Sequence, residues 1–183
     1  MWKFETFKRV PPKPSGGDVA GVSIVLLQKR LERFTTGRLS VAMKQGWRRE
    51  HDPVTFFATT LSDGEGAVIK LNGMFLTMQH FDRRLDSSLL GHQHLPTWAT
   101  HAAYSSISYA CAGGIPVGDT RDQFYGFLGL FCAELLTDNV TGLFFTEEHV
   151  LVPNTGALLR ELRSGNNINP ARLTATLASI SSD

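Results

Sequence analysis

Three histidines in the middle of the chain are the first residues whose type and spacing could do chemistry. His92 and His94 form a His-x-His pair, and His101 follows seven residues later. On a β-strand the pair would share one face, which suits zinc, and His101 could be a third ligand. No cysteine or carboxylate stands at a usual ligand spacing, so we predict no metal and no cofactor here. Together with Trp98, the three histidines are our candidate binding residues.

A serine nucleophile is the second chemistry to consider. Ser105, Ser106 and Ser108 follow His101 closely in the chain. A catalytic triad depends on spatial geometry, however, and the chain has no Gly-x-Ser-x-Gly motif to present a nucleophile. It also lacks the glycine-rich loops that bind phosphate between a strand and a helix. We therefore predict no catalytic residues, and we keep a metal-dependent or serine hydrolase that uses residues 92–101 as the alternative function.

The two cysteines, Cys111 and Cys132, are too few for a disulfide framework and form no Cys-x-x-Cys pair. We interpret both as reduced thiols. Residues 1–14 are polar and basic, unlike a signal peptide, and no apolar run approaches the roughly 20 residues that a membrane span needs. These features predict a cytoplasmic protein with no membrane contact.

Charge is divided unevenly along the chain, although the net charge is only +1. Residues 1–50 contain 11 Lys or Arg and 4 Asp or Glu, whereas residues 51–183 contain 7 and 13. A basic half can bind phosphate, and it can equally pair with the chain's own acidic half after folding. Because no basic motif of a kind that binds nucleic acid accompanies this charge, we expect no nucleic-acid partner.

The elements that position these residues begin after an N-terminal arm, residues 1–18, which is rich in proline and glycine near its end. Val19–Leu27 is almost continuously apolar, which predicts a strand covered on both faces. Thr35 or Thr36 then offers an N-cap oxygen to a helix. Four apolar residues at helical spacing give this helix one buried face: Leu39, Ala42, Met43 and Trp47.

A meander of three strands follows this helix. Val54–Leu61 is rich in phenylalanine and threonine, as strands are, and Ala67–Leu71 is a second short strand. Asn72-Gly73 is the strongest hairpin signal in the chain, because both positions of a type I′ turn need positive φ. We predict that it joins Ala67–Leu71 to Met74–Met78 as a two-residue loop.

The second half of the chain contains the clearest helix, Asp119–Asp138. It follows the unclear residues 79–95 and a predicted strand at Ala102–Ala110. Its apolar stripe predicts a central, packed helix and consists of Phe124, Phe127, Leu128, Phe131 and Leu135. Gly126 and Gly129 weaken a helix unless another backbone comes close to them.

Two strands and a helix complete the domain. The strands are predicted at Val140–Phe145 and His149–Val152, and the helix runs from Thr155 to Arg163 and ends at Gly165. The whole order predicts an α+β fold, with a mixed, mainly antiparallel sheet, β-α-β units and helices packed on it. We assign residues 1–18 to the arm, 19–165 to a single domain, and 166–183 to a tail with a helical propensity from Pro170.

Several short motifs resemble an uncharacterised bacterial family, catalogued as a domain of unknown function. They are Ser23-Ile24-Val25-Leu26-Leu27, Trp98 with His101-Ala102-Ala103, and the strand Val140–Phe145 with its Gly-Leu-Phe-Phe end. The resemblance spans roughly residues 20–165. This chain has Gln79–Arg84 where the family carries a proline-rich segment. The resemblance implies an α+β fold and a bacterial or phage source, and it supplies no activity.

The sequence therefore predicts a function only by class. Because catalytic motifs are absent, the arm combines aromatic with basic residues, and charge is separated, we expect a non-catalytic interaction domain of an immunity-like or accessory kind. Its expected partner is another protein, and the sequence leaves open whether the chain also forms homo-oligomers.

Overall fold

The structure is a computed structural model that describes residues 20–71, 74–86, 89, 96–111 and 119–180. The predicted arm, residues 1–18, lies outside the described residues. The strands are β1 (Ala20–Gln28), β2 (Phe56–Thr60), β3 (Gly66–Leu71), β4 (Met74–Phe81), β5 (Ala103–Cys111), β6 (Val140–Phe145) and β7 (Val150–Pro153). The helices are α1 (Thr36–Trp47), α2 (Asp119–Leu135), α3 (Gly156–Ser164) and α4 (Pro170–Ile180).

The seven strands form one sheet in the order β2-β3-β4-β5-β1-β6-β7, and every neighbouring pair is antiparallel. The larger hydrophobic cluster lies between one face of this sheet and residues of α1, α2, α3 and α4. The predicted α+β fold, with helices packed on a mainly antiparallel sheet, is confirmed. In its β-α-β unit, α2 connects β5 to β6, which run in the same direction on either side of β1.

The central strand β1 is covered on both faces, as its continuous apolar sequence predicts. Val22, Ile24 and Leu26 belong to the larger cluster on the helix side. Val25 and Leu27 point to the other side, into a smaller cluster. A strand with two buried faces cannot alternate polar with apolar residues, which explains the unbroken run.

The predicted hairpin is confirmed by the register of β3 and β4. Leu71 pairs with Met74, and Ala67 pairs with Met78. Leu76 and Met78 are buried on the helix side, whereas Phe75 and Thr77 are exposed on the other. The conformation of Asn72-Gly73 itself lies outside the described residues.

Helices α1 and α2 pack closely through aromatic stacking and one small residue. The Trp47 ring stacks on Phe127 and Phe131, with centroids 4.7 and 4.9 Å away. Trp47 Nε1 also donates a hydrogen bond to the Phe127 carbonyl at 2.9 Å. A Cβ added to Gly46 would lie only 2.5 Å from the Leu130 carbonyl oxygen, so this glycine permits the close approach.

The predicted burial of the apolar stripe of α2 is confirmed for most of its residues, and one of them is an exception. Phe127, Phe131 and Leu135 are buried, whereas Phe124 is only half-buried and stacks on Tyr109 of β5 at 4.6 Å. The helix ends at Leu135 instead of Asp138, because the chain turns there to enter β6.

The predicted close approach of another backbone is present at Gly126, whereas side chains lie closest to Gly129. A Cβ on Gly126 would collide with the Asn166 carbonyl oxygen, and one on Gly129 would meet the Ile168 and Leu162 side chains. The predicted start and end of α3 are confirmed, since Thr155 is its N-cap, where Oγ1 accepts from Leu158 N, and Gly165 is its C-cap with a left-handed φ of 67°. Ile168 and Leu173, beyond α3, are buried in the larger cluster.

Strand β2 lies at one edge of the described sheet, and the chain itself occupies part of that edge. Phe56 N donates to the Asp52 carbonyl at 2.9 Å, and Asp52 N donates back to the Phe56 carbonyl at the same distance. At the other end of the strand, Thr60 N donates to Thr36 Oγ1 at 3.2 Å. Two of the amides that point away from β3 are therefore already paired.

Candidate functional site

His101, one of the candidate binding residues, is buried and bonded to the main chain through both ring nitrogens. Its Nε2 accepts a hydrogen bond from Leu85 N at 2.8 Å, and Nδ1 lies 2.8 Å from the Ala99 carbonyl oxygen. Because the carbonyl only accepts, Nδ1 carries the proton and the ring is a neutral link between two loop segments. A metal could bind His101 only after one of these bonds breaks.

Trp98 packs against the second face of the sheet. The smaller cluster on this face consists of Val25, Leu27, Leu85, Ala99, Tyr104 and Phe144, with Phe81, Trp98 and Leu151 packed against it. A Cβ on Gly142 would lie 2.5 Å from Trp98 Cζ3, so the glycine makes room for the indole ring. Trp98 is therefore a half-buried cover over β6.

His92 and His94 lie outside the described residues. Within the part of the chain that the structure describes, no three His, Cys, Asp or Glu side chains are grouped closely enough to hold a metal ion. The hydrolase alternative that uses residues 92–101 stays a prediction.

Replacing His101 with phenylalanine is expected to destabilise the protein without affecting metal binding. The change keeps the ring but leaves the buried Leu85 N–H and Ala99 carbonyl unpaired, each of which costs about 1–3 kcal/mol. The free energy of unfolding, measured by urea denaturation, reports this loss. The same change at the exposed His51 is the matched control, and its effect is expected to stay within about 0.5 kcal/mol.

Added Zn²⁺ tests the metal alternative on the same proteins. We expect no rise in Tm for the wild-type protein, because the His101 nitrogens are occupied. A Zn²⁺-dependent rise that His101→Phe abolishes, and His51→Phe does not, would contradict the packing role and support the hydrolase.

A second group of polar side chains lies inside the apolar layer on the helix side of the sheet, and we call it the polar cluster. It consists of Gln28 on β1, His80 on β4 and Ser105 on β5, where β5 lies between the other two strands. His80 Nδ1 lies 2.8 Å from Ser105 Oγ, and Gln28 Nε2 donates to the same oxygen at 3.2 Å. His80 is 7% exposed, and the other two residues are fully buried.

A serine bonded to a histidine is the arrangement of a nucleophile and its base. Here the serine is Ser105, and its partner is His80 instead of the neighbouring His101. A surface cavity of about 400 Å³ has His80 in its lining but not Ser105, so the hydroxyl is closed to a substrate. Burial first, and the charge of Arg33 second, lower the pKa of His80 below its usual value. The polar cluster is thus a neutral, closed network.

Gln28 and His80 are not among the site residues predicted from the sequence. A signal for His80 exists, because it continues the alternation of Leu76 and Met78 on the buried face of β4. A histidine at the next position of an apolar face must lie in the core and needs a hydrogen-bond partner there. No local pattern identifies that partner as Ser105, which is 25 residues away.

Exposed apolar residues lie on the second face of β2, β3 and β4, and we call this surface the open face. It consists of Phe57, Thr59, Leu61, Val68, Lys70, Phe75, Thr77 and Gln79. Phe75 is 51% exposed and Leu61 is 47% exposed, so no described segment closes over them. The smaller cluster covers a different part of the same side of the sheet.

One row across the open face combines two aromatic rings with a cation. The register aligns Phe57, Lys70 and Phe75 on adjacent strands. The ammonium of Lys70 lies 5.9 Å from the Phe57 ring centroid and 5.7 Å from that of Phe75. Cation–π attraction at these distances holds the lysine between the rings. The row presents two flat apolar surfaces and one positive charge side by side.

Protein-family models, characterised proteins and solved structures were compared with this chain, and none of them matches it. The resemblance of its short motifs to a bacterial family therefore stays a prediction. No helix among the described residues has the length and apolar composition that crossing a membrane requires.

Cys132 and Tyr125 are two further titratable groups in the core. Burial raises the pKa of the Cys132 thiol well above its usual value, and this cysteine is free and fully buried. Burial and the nearby Glu147 carboxylate raise the pKa of Tyr125, whose hydroxyl donates to that carboxylate at 3.2 Å. A protonated thiol and a protonated phenol in these positions are structural.

Proposed function

We propose that this protein is a non-catalytic interaction domain, immunity-like or accessory in kind, which binds another protein through the open face of its sheet. The observation that carries the proposal is the exposed row of Phe57, Lys70 and Phe75. We also propose that the protein is cytoplasmic. The free, buried thiol of Cys132 supports this location.

Aromatic anchors on a rigid platform support a protein partner. Few interface residues contribute most of a binding free energy, and aromatic side chains are prominent among them. Phe57 and Phe75 lie on strands that pair along their length, so little conformational entropy is lost when they are covered. Threonine and glutamine side chains at Thr59, Thr77 and Gln79 provide a polar rim.

Charge further defines the partner. Lys70 is the only charged side chain of the open face as its described residues define it. One cation among apolar groups fits a partner surface that is apolar and carries a carboxylate. It does not fit nucleic acid, because binding there depends on many cations that neutralise successive phosphates.

Site-specific cross-linking in the cells of the source organism tests this proposal. A photo-reactive residue replaces Thr77 on the open face, and in a control protein it replaces the exposed Glu161 on α3. We expect one protein to be cross-linked from position 77 and not from position 161. Phe75→Ser and Lys70→Glu should each reduce that product about tenfold or more, as loss of a central contact does.

The matched control for Phe75→Ser is Val41→Ser, which removes an exposed apolar side chain from α1. It should leave the cross-linked product unchanged, and Tm should show that all variants are folded. Cross-linking to nucleic acid or only to a second copy of the chain would contradict the proposal. Equal yields from positions 77 and 161, or a product insensitive to Phe75→Ser, would contradict it as well.

A further inference from the structure

We propose that His80 is an acid-sensitive latch: protonation of its ring releases residues 29–35, which we call the closing segment, from the end of the sheet. The proposal rests on the polar cluster and is independent of the open face. His80 is buried, one ring nitrogen is bonded to Ser105, and the other, Nε2, has no hydrogen-bond partner among the described residues.

Hydrogen bonds connect His80 to the closing segment through the polar cluster. Gln28 Nε2 donates to Ser105 Oγ and also to the Glu32 carbonyl, both at 3.2 Å. Gln28 Oε1 accepts from Glu32 N at 3.2 Å. A single amide side chain thus holds both main-chain groups of Glu32 and the serine that bonds His80. Two hydrogen bonds in series, both made by the Gln28 side chain, therefore connect Ser105 to the closing segment.

The closing segment also covers the ring directly. Phe34 is 2% exposed, and its ring centroid lies 5.8 Å from that of His80, tilted by 54°. Arg33 precedes Phe34 and acts on His80 electrostatically. The same segment therefore packs an apolar ring against the histidine and carries a positive charge that acts on it.

Protonation disturbs this arrangement in two ways. The neutral ring has one N–H and one acceptor nitrogen, and protonation makes both nitrogens donors. Nδ1 then donates to Ser105 Oγ, which also accepts from Gln28, and the N–H on Nε2 is a buried donor without a partner among the described residues. The new positive charge also repels Arg33. Moving the closing segment outward relieves both costs, because it admits water and separates the charges.

The other charged groups around His80 do not offset these costs. Asp63 and Glu65 in the turn between β2 and β3, and Asp82 and Arg83 after β4, line the adjoining cavity. Gln28 and Ser105 are uncharged. Although three carboxylates border the cavity, the pKa of His80 is lowered, first by burial and second by Arg33.

Because the pKa of His80 is lowered in the closed state, a fall in pH favours the open state. An open segment exposes His80 and restores its usual pKa of about 6.5, whereas the closed state has a lower pKa. The open state therefore binds the proton more tightly, and closure weakens as pH falls below about 6.5. Between the two pKa values, each pH unit changes the ratio of open to closed states by about tenfold.

Two measurements on the full chain test the latch. NMR titration of the His80 ring should give a pKa below 6.5. Hydrogen exchange of peptides that cover residues 29–35, corrected for intrinsic rates, should lose protection between pH 7.5 and pH 5, while α2 keeps its protection. This range lies above the ordinary pKa values of carboxylates, about 3.9–4.3, so histidines dominate the response.

Variants separate the latch from general acid effects. Arg33→Gln should raise the pKa of His80 and weaken the loss of protection, because one repulsive charge is gone. Arg30→Gln, an exposed position in the same segment, should change neither. His80→Gln should abolish the pH dependence in the closing segment, and His51→Gln should preserve it. If His80→Gln does not fold, the comparison of Arg33→Gln with Arg30→Gln still tests the latch.

Three results would overturn the latch. The first is a pKa of His80 at or above 6.5. The second is protection of residues 29–35 that does not change with pH. The third is a pH response that Arg33→Gln and Arg30→Gln leave equally intact.

Discussion

Replacing Phe131 with alanine is expected to lower the free energy of unfolding by about 3–5 kcal/mol, which is a large share of the stability of a domain. Phe131 is fully buried in α2, and its ring stacks on Trp47 of α1 at 4.9 Å and an interplanar angle of 14°. Removing the ring opens a cavity between the two helices that their close backbone packing cannot fill. Urea denaturation followed by circular dichroism measures the loss.

The same substitution at Phe75 is the matched control. Phe75→Ala removes an identical ring from the open face, where about half of the residue is already in water, so its cost should stay below about 1 kcal/mol. If Phe131→Ala costs no more than Phe75→Ala while the fold is retained, α2 is peripheral and the described architecture is wrong.

Gly46→Ala is expected to cost about 1–3 kcal/mol or more, although alanine is the better helix former. The added Cβ would lie 2.5 Å from the Leu130 carbonyl oxygen and 2.9 Å from its carbon. Both atoms belong to the backbone of α2, so a side-chain rotation cannot relieve the overlap and the two helices must separate. Trp47, the next residue, would lose part of its stacking on α2.

Gly37 provides the control within the same helix. No atom lies within 4 Å of a Cβ placed there, so Gly37→Ala should raise stability by up to about 1 kcal/mol. In thermal or urea denaturation, Gly46→Ala is therefore expected to lower the stability of the protein and Gly37→Ala to raise it. Stabilisation by both substitutions would mean that α1 and α2 do not approach as closely as described.

Local patterns predicted the elements well because their causes are local. The spacing of Leu39, Ala42, Met43 and Trp47 follows the turn of one helix, and the alternation along β4 follows the pleat of one strand. Thr155 and Gly165 cap α3 through bonds and a backbone angle a few residues away. Phe124 is less buried than predicted, because its burial depends on which residues of the sheet lie opposite it.

The candidate sites depend on register between distant strands, which no local pattern contains. Gln28, His80 and Ser105 meet only because β1, β5 and β4 are neighbours in a particular alignment. The open face is similar, since alternation reveals two faces of a strand but not which one the helices cover. His101 drew attention through its proximity to other histidines, whereas its bonds to Leu85 and Ala99 give it a packing role.

The paired edge at β2 has a consequence for how this chain behaves at high concentration. Strand β2 carries two phenylalanines and two threonines, a composition that favours the growth of cross-β fibrils from an unprotected edge. Asp52 occupies the first outward amide, and its carboxylate is anchored by Val54 N and Thr55 N at 2.8 and 2.9 Å. Thr36 occupies another amide at the far end. An incoming strand would have to displace these internal bonds before it could add to β2, so this edge of the sheet is a poor template for amyloid.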